Sequence, residues 1–207
     1  MLVQDKMTKN PYCVSEDSKI SKVLDIMKDK NFHRMPVVYG DKLVGLITEG
    51  TIAEHSPSKA TSLSIHEMNY ILSKTNVSDI MVKDVITIDA KKQVVEAAVL
   101  MRKHDIGCLV VLDQDKVVGI ITQNDIFDSF IDILGYYQEG TTFRIMIEKD
   151  VPGVFANISN LFYKENASIK SIAVYHYDGI IEVVIVATLV DKESMKTILK
   201  ENNFDVL

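Results

Sequence analysis

The stretch KVVGIITQNDIF, residues 116–127, has a near-copy earlier in the chain, KLVGLITEGTIA, residues 42–53. Each copy contains a glycine in a run rich in β-branched residues, then two apolar residues and a threonine, and continues into a predicted helix. The later copy has an aspartate three residues after this threonine, Asp125, whereas the earlier copy has Thr51 there. The chain therefore builds one turn twice and places the aspartate in one copy.

A gapless internal duplication surrounds these two stretches. A shift of 74 residues aligns residues 3–52 with residues 77–126 without insertion or deletion. The residues that recur identically 74 positions later are Val3, Asp5, Met7, Lys9, Met27, Val37, Asp41, Lys42, Val44, Gly45, Ile47, Thr48 and Ile52. A unit of about 50 residues buries little surface alone, so we expect the two copies to pack together around a pseudo-twofold axis.

Each repeat has the pattern of a short strand, a helix, two strands and a second helix. In the second repeat, VITI, CLVVL and KVVGII predict strands, and KKQVVEAAVLMRKHD places its apolar residues on one helical face. The last helix is expected to end at Gly135. Between the repeats, SPSKAT predicts a loop, and LSIHEMNYILSK predicts a helix that begins with a capping box of Ser64 and Glu67. Leu63 and Met68 are spaced for a hydrophobic staple on the same helix.

Residues 142–207 do not continue the repeat. TFRIMIE, SIKSIAVYH, GIIEVVIVATLV and FDVL predict strands, and VPGVFANISNLFYKEN and KESMKTILKEN predict helices. The resulting order, βαββαβ, is typical of a ferredoxin-like sheet backed by two helices, and it makes the fold class α+β. The predicted organisation is repeat one at 1–56, a loop and helix at 57–76, repeat two at 77–134, a linker at 135–141 and a C-terminal domain at 142–207.

The composition is that of a globular chain with a moderate negative charge. Of the 207 residues, 47% are hydrophobic and 25% are charged, and the net charge is -6. This charge gives nucleic acids no general attraction, because binding to a phosphate backbone needs clustered lysine and arginine. The N-terminus lacks the apolar core of a signal peptide, and the longest near-apolar run is too short to span a bilayer. We therefore expect a cytoplasmic protein with no nucleic-acid and no membrane partner.

Cysteines and histidines give no sign of a metal site. Cys13 and Cys108 are far apart without a CxxC partner, and we expect reduced, half-buried thiols. The five histidines have no spacing typical of zinc ligands. The sequence also has no nucleophile elbow, Walker loop or pair of catalytic carboxylates, so we expect no metal, no catalytic residues and no enzyme activity.

The repeated turn has groups that suit a small ligand at the end of a strand. Gly119 would let a ligand approach the backbone, the Thr122 hydroxyl can donate and accept, and Asp125 can accept both hydroxyls of a vicinal diol such as ribose. The free N–H groups at the start of the following helix favour a phosphate. A second interpretation stays open, since Asp125 could simply cap that helix.

The paired repeats resemble a tandem cystathionine-β-synthase (CBS) domain pair, or Bateman module. The resemblance covers residues 1 to about 134 and is carried by GIITQND and GLITEGT and by HRMPVV and GCLVVL before the hairpins. It implies an adenosyl ligand, such as AMP, ADP, ATP or S-adenosylmethionine, in a cleft between the repeats. The site residues that it implies are Thr8, Tyr12, Cys13 (through its backbone), His33, Arg34, Thr122, Gln123, Asn124 and Asp125.

In this family each cleft takes residues from both repeats. The cleft with Asp125 would receive His33 and Arg34 as two phosphate donors. The opposite cleft would have Thr51 in place of the acid, and residues 107–108, Gly and Cys, in place of the basic pair. Because both losses fall in one cleft, we expect one competent nucleotide site and one degenerate site.

The C-terminal domain resembles an ACT domain over residues 142–207. The resemblance includes the turn DVPG, where such domains can hold an amino acid whose carboxylate meets the start of a helix. The candidate residues for this ligand are Asp150, Val151, Pro152, Gly153 and Val154. ACT domains also pair side by side, so a dimerisation module without a ligand is the alternative.

A CBS pair followed by an ACT domain is similar to the AcuB family of acetoin-utilisation regulatory proteins. The similarity implies a regulatory role. The mechanism that we expect is a homodimeric sensor, in which an adenosyl molecule closes the two repeats together and the shift passes to the ACT dimer or to a partner enzyme. Three alternatives remain: an amino-acid sensor acting through the ACT domain, a ligand-free scaffold, and an enzyme acting on the bound nucleotide.

Overall fold

The computed structural model describes residues 1–56, 64–149, 151–177 and 179–207. These residues form two compact units, Met1–Ile126 and Phe127–Leu207. The division falls inside the helix that follows Thr122, whereas the sequence placed this whole helix in the second repeat. One helix therefore runs from the first unit into the second.

Each repeat contains a one-turn helix, a helix of three turns, an antiparallel hairpin and a closing helix. The first repeat consists of α1 (Val3–Lys6), β1 (Thr8–Lys9), β2 (Val14–Ser15), α2 (Ile20–Lys30), β3 (Arg34–Tyr39), β4 (Lys42–Thr48) and α3 (Glu49–His55). After it come α4 (Ile65–Lys74), α5 (Val77–Ile80), β5 (Thr87–Asp89), α6 (Val94–His104), β6 (Cys108–Asp113), β7 (Lys116–Thr122) and α7 (Gln123–Ile133). The predicted order is confirmed, and the sequence missed α1, α5 and β1.

The strands of the first unit form one sheet with the two repeats in equivalent places. Its order is β2-β3-β4-β7-β6-β5, with β1 paired to β7. Each repeat contributes a parallel pair and an antiparallel hairpin. The hairpins meet at Lys42 and Lys116, which are equivalent positions. The sheet thus has the predicted pseudo-twofold order.

The segment that leads into each repeat packs on the other repeat. Val3 is fully buried in the core of the second repeat, and its counterpart Val77 is fully buried in the core of the first. Backbone hydrogen bonds fix both residues, from Val3 N to Lys92 O at 2.8 Å and from Val77 N to Ser18 O at 2.9 Å. Burial of a valine side chain stabilises the fold by about 1.5–3 kcal/mol, so this exchange joins the repeats firmly.

The glycine of the repeated turn is required by packing. A Cβ at Gly119 would overlap the thioether of Met7, and a Cβ at Gly45 would overlap the thioether of Met81. The expectation that Gly119 admits a ligand to the backbone is wrong, because Met7 fills that space. The same contact holds β1 against β7, to which Thr8 is paired.

The capping box predicted for α4 is confirmed. Ser64 Oγ accepts from Glu67 N at 3.3 Å, and the carboxylate of Glu67 accepts from Ser64 N at 2.8 Å. These hydrogen bonds lower the pKa of Glu67 below its ordinary value. The predicted loop after Ser56, and with it Leu63 of the staple, lies outside the described residues.

The second unit contains a four-stranded antiparallel sheet covered by two helices. Its elements after the end of α7 are β8 (Thr141–Ile147), α8 (Val154–Lys164), β9 (Ser168–Tyr177), β10 (Ile180–Thr188), α9 (Lys192–Glu201) and β11 (Asp205–Val206). The strand order is β11-β8-β10-β9. In the core between sheet and helices, Phe143 and Phe162 pack edge to face with ring centroids 5.4 Å apart. The predicted βαββαβ order is confirmed.

The helices of the described residues are short. The four longest, α2, α6, α7 and α8, have 11 residues each. A helix of this size is roughly 16 Å long. Within the described ranges, none has both the length and the apolar character that crossing a bilayer requires.

Candidate functional site

A cavity of about 520 Å³ lies between the two repeats of the first unit. We call it the Thr122 cleft, and its volume is in the range of small-molecule sites. One wall is formed by β1 and the residues that follow it up to Tyr12. The others are formed by the residues around the start of β3, by Gly107 just before β6, and by the turn between β7 and α7. The lining residues are Thr8, Lys9, Asn10, Pro11, Tyr12, Asn31, Phe32, His33, Arg34, Gly107, Ile120, Thr122, Gln123 and Asn124.

The first repeat reaches this cleft because its leading segment crosses to β7. Thr8 pairs with β7, and Asn10 N donates to Val118 O at 3.0 Å. Tyr12 follows on the same segment and is 45% exposed, with its ring centroid 6.4 Å from that of Phe32. The two rings, inclined to each other at 41°, form an aromatic wall of the cleft.

Thr122 and Asp125 form a closed turn at the start of α7. The carboxylate Oδ2 of Asp125 accepts from Thr122 N and from Thr122 Oγ1, both at 2.7 Å. Helix α7 begins at Gln123, so Thr122 is the N-cap residue and Asp125 completes a capping box with it, rather than being the N-cap itself as the sequence allowed. Capping is compatible with ligand binding, since a carboxylate has about four lone-pair sites. Thr122 lines the cleft, and Asp125 is held on Thr122 without being part of the lining.

The basic pair lies on the opposite wall, and both side chains have protein partners. Arg34 Nη1 donates to Gly107 O at 2.7 Å, and the same carbonyl accepts from Gln123 N at 3.2 Å. His33 Nδ1 lies 2.8 Å from Glu49 Oε2, and these side chains are 61% and 52% exposed. A phosphate entering the cleft would therefore compete with a carbonyl for Arg34 and with a carboxylate for His33.

Seven of the nine residues predicted for the nucleotide site line this single cavity: Thr8, Tyr12, His33, Arg34, Thr122, Gln123 and Asn124. Cys13 does not line it; its Sγ lies 3.5 Å from Pro11 O, and burial raises the pKa of the thiol. The lining residues that the prediction missed are Lys9, Asn10, Pro11, Asn31, Phe32, Gly107 and Ile120. Three of these, Lys9, Pro11 and Phe32, adjoin a predicted residue in sequence, and that adjacency was the available signal.

A second cavity of about 770 Å³, which we call the Thr51 cleft, contains the turn of the first repeat. Thr48 Oγ1 accepts from Thr51 N at 3.0 Å and lies 2.8 Å from Thr51 Oγ1, so a hydroxyl stands where the other turn has a carboxylate. The lining residues are His33, Arg34, Leu46, Thr48, Glu49, Gly50, Thr51, Glu54, Val82, Asp84, Val85, Ile86, Asp105, Ile106, Gly107 and Cys108. His33 and Arg34 line the Thr122 cleft and also the Thr51 cleft, which was expected to have residues 107–108 in place of the basic pair.

Cys108 occupies the position equivalent to Arg34 and is influenced by it. Burial raises the pKa of the Cys108 thiol, and the neighbouring charge of Arg34 partly opposes the rise. Both cysteines are free thiols, as expected. Cys108 is buried rather than half-buried, because β6 runs through the core of the second repeat.

The turn predicted to hold an amino acid lies at the start of α8. Gly153 is the N-cap residue with φ +94°, in the left-handed region, and no atom lies within 4 Å of where its Cβ would be. Val151 and Pro152 are exposed, and Val154 is buried in the core of the second unit. Asp150 lies outside the described residues. The described part of this turn is open to solvent.

Comparison with known proteins identifies the two repeats. The family model of the CBS domain matches residues 3–58 and 77–132, which together make up more than half of the chain. A CBS domain-containing protein of Dictyostelium discoideum is 32% identical over 136 residues, which are 65% of this chain and 94% of that protein. The two matched segments coincide with the duplication found in the sequence.

Two solved structures share the fold of the first unit. A Vibrio cholerae protein assigned to acetoin utilization (AcuB) is 25% identical with a TM-score of 0.55, over 68% of this chain and 98% of that chain. The CBS domain pair of protein MJ0100, in complex with 5′-methylthioadenosine and S-adenosyl-L-methionine, is 30% identical with a TM-score of 0.52. That match covers 63% of this chain and 95% of that chain.

The chain also matches longer enzymes. It spans 21–24% of the length of several homoserine O-acetyltransferases and inosine-5′-monophosphate dehydrogenases. Their activities are properties of those proteins. The duplicated turn, the exchanged leading segments and the two family matches agree, and the chain belongs to the CBS domain family, of which it carries a tandem pair.

Proposed function

We propose that this protein is a regulatory sensor that binds an adenosyl ligand in the Thr122 cleft. The observation that carries the proposal is the meeting of two walls in one cavity: the Thr122 turn from the second repeat and the His33–Arg34 pair from the first. In this proposal Asp125, which hydrogen-bonds to the lining residue Thr122, is the acceptor for a diol, and Arg34 and the start of α7 bind a phosphate. The adenosyl ligands bound to the related CBS pair of MJ0100 support this ligand class.

In the proposed binding mode, the turn at the start of α7 takes the ribose. Asp125 accepts the two ribose hydroxyls while it keeps its hydrogen bond to Thr122 N. Asn124 offers an N–H group of the helix start to a phosphate, which the helix dipole also favours, while Gln123 N keeps its hydrogen bond to Gly107 O. Arg34 donates to the same phosphate. The segment Thr8–Cys13 meets the base through its backbone, beside the aromatic wall.

Calorimetry on Asp125→Ala and Thr51→Ala tests this assignment. Hydrogen bonds to a charged acceptor are worth about 1.5–3 kcal/mol, so Asp125→Ala is expected to weaken binding of AMP or S-adenosylmethionine about ten- to a hundredfold. Thr51→Ala is expected to change affinity little, because the second cleft lacks the acid. Asp125→Asn is the control for the helix cap, since an amide oxygen can still cap α7. Equal effects of Asp125→Ala and Thr51→Ala would contradict the proposal.

For regulation, we propose that the protein acts as a homodimer and that α7 carries the signal. This helix begins beside Thr122 and continues into the second unit. In this mechanism the two repeats exchange between an open and a closed arrangement that place α7 differently. A ligand that binds the closed arrangement more tightly shifts the population toward it, and the free energy of this shift cannot exceed the difference in binding free energy between the two arrangements. The C-terminal βαββαβ domain would act as an ACT-type dimerisation module or contact a partner enzyme. Sedimentation with and without AMP tests the dimer and its response.

An amino-acid sensor is the second candidate function. Its supporting observation is the open turn at Gly153, which precedes the 11-residue helix α8. Thermal-shift measurements separate the candidates, because only a ligand that binds the folded state raises the melting midpoint. A shift with amino acids and none with nucleotides would favour the second candidate, and no shift with either would favour a ligand-free scaffold. Turnover of ATP or S-adenosylmethionine would contradict a purely regulatory role.

A further inference from the structure

We infer that Glu49 makes the Thr122 cleft selective for adenosyl ligands with one phosphate or none, so that ATP is disfavoured. The inference rests on the proposed function and names the ligand class within it. Glu49 lines the Thr51 cleft, and it acts on the Thr122 cleft through His33, which lines both.

The duplication shows which feature of Glu49 is unusual. Gln123 occupies the equivalent position, and the two backbones are held alike: Glu49 N donates to His33 O at 3.0 Å, and Gln123 N donates to Gly107 O at 3.2 Å. One helix start therefore has a carboxylate where the other has a neutral amide. An acidic residue in the first turn favours any helix. That general effect does not account for the contact of Glu49 with the one imidazole that lines the nucleotide cleft.

The contact with Glu49 changes what His33 can offer to a phosphate. A carboxylate can only accept, so Nδ1 of His33 must be the donor in the 2.8 Å contact. In the neutral ring, Nε2 is then an acceptor, which cannot donate to a phosphate oxygen. If the ring is protonated, its charge is already matched by the carboxylate of Glu49. In neither form does His33 provide an uncompensated positive charge.

The remaining basic groups suffice for one phosphate. Arg34 can exchange its carbonyl partner, Gly107, for a phosphate oxygen, and the dipole of α7 and the N–H of Asn124 add to this. Lys9, the other basic lining residue, belongs to the segment that takes the base in the proposed mode. A phosphate monoester carries up to about two negative charges at neutral pH. Each further phosphate needs another hydrogen-bond donor or positive charge. His33 is the next basic residue of the cleft, but the carboxylate of Glu49 lies 2.8 Å from its ring and would repel that phosphate.

Binding measurements with ligands that differ in phosphate number test this inference. The probes are 5′-methylthioadenosine, AMP, ADP and ATP, without divalent cations, since these would neutralise the phosphates. The wild type is expected to bind AMP at least about tenfold more tightly than ATP. Because His33 and Glu49 are both more than half exposed, screening by water limits the effect of Glu49→Gln. This variant is expected to tighten ATP binding about three- to tenfold and to change 5′-methylthioadenosine binding less than about twofold.

Glu54→Gln is the matched control, because Glu54 lies on the same helix α3 and lines the Thr51 cleft but not the Thr122 cleft. It should leave the ratio of AMP to ATP affinity unchanged. Equal affinity of the wild type for ATP and AMP, an unchanged ratio in Glu49→Gln, or an equal change in Glu54→Gln would each overturn the inference.

Asp125→Ala separates failure of the inference from failure of the proposed function. If Asp125→Ala weakens every ligand while Glu49→Gln leaves the ratio unchanged, the selectivity is wrong and the site stands. If Asp125→Ala weakens none of them, or if the wild type binds none, the proposed function fails and the inference fails with it.

Discussion

The Thr122 cleft and the Thr51 cleft come from equivalent parts of one duplicated fold, yet they differ in chemistry. Each contains the threonine that ends a hairpin strand, and each is bordered by the leading segment of the opposite repeat. In the first, Asp125 closes the turn with a carboxylate; in the second, Thr51 does so with a hydroxyl, and several acidic residues line the cavity. The backbone is thus common to both clefts, and a few side chains at the turns give them different charge and hydrogen-bonding groups.

The largest effect on stability is expected at the two packing glycines, and the accompanying change in binding distinguishes the clefts. Gly119→Ala and Gly45→Ala each force a methionine side chain to move, and overpacking of this kind costs about 1–3 kcal/mol in the free energy of unfolding. Gly119→Ala displaces Met7 and hence β1, so it should also weaken AMP binding severalfold. Gly45→Ala acts on Met81, which precedes Val82 of the Thr51 cleft, and should leave AMP affinity nearly unchanged. Urea denaturation and calorimetry measure both quantities, and equal losses of affinity would show that the clefts are not independent.

A smaller effect of opposite sign is expected when the turn of the first repeat receives the acid of the second. In Thr51→Asp, the new carboxylate can accept from Thr48 N and Thr48 Oγ1, as Asp125 accepts from Thr122. A better cap on α3 should raise the free energy of unfolding by about 0.5–1 kcal/mol. It should not create a second nucleotide site, because the acidic lining of the Thr51 cleft remains. A drop in unfolding midpoint, or a second AMP equivalent bound, would show that the two turns are not equivalent.

The smallest of these effects concerns the first long helix of each repeat. Glu96 accepts from Gln93 N at 2.9 Å and from Lys92 Nζ at 3.0 Å, whereas the equivalent position in the first repeat is Lys22. The hydrogen bond from Gln93, and then that from Lys92, lowers the pKa of Glu96 below its ordinary value of 4.5. A carboxylate with a lowered folded-state pKa stabilises the fold above its unfolded pKa, and this stability is lost as pH falls through the folded pKa.

Glu96→Ala should therefore lower the thermal midpoint at pH 7, and the difference from wild type should shrink as the pH falls below about 4.5. Lys22→Ala should cause no comparable pH-dependent difference. A difference for Glu96→Ala that stays constant down to acidic pH would show that the charge of Glu96 has no part in its contribution.

Local patterns in the sequence predicted most of the fold. The helical spacing of apolar residues in 94–101 and the alternation in residues 143–147 are local periodicities, and local periodicity is the main sequence signal of secondary structure. The 74-residue shift then indicates that the same elements occur twice. The exchange of Val3 and Val77 between the repeats was not predicted. It depends on contacts between residues distant in the chain, and both valines are compatible with either core.

The candidate site was predicted in its residue types but not in its present contacts. Thr8, His33 and Thr122 are brought together as the family resemblance implied. The sequence did not predict the hydrogen bond from Arg34 to the carbonyl of Gly107 or the contact between His33 and Glu49. The type of a residue determines which groups its side chain can bond, but the folded structure determines which partner is nearby. The function of Gly119 was misjudged for the same reason, since nothing local marks Met7 as its neighbour.

The crossed leading segments have a consequence for the origin of the chain. A lone repeat lacks the valine that completes its own core, yet two identical single-repeat polypeptides could complete each other by trading their first residues, as in a domain-swapped dimer. Joining such partners in tandem would preserve every contact and remove the requirement that both halves stay alike. After that fusion, a substitution at one turn no longer alters its twin, which is how a symmetric ancestor can yield two unequal pockets.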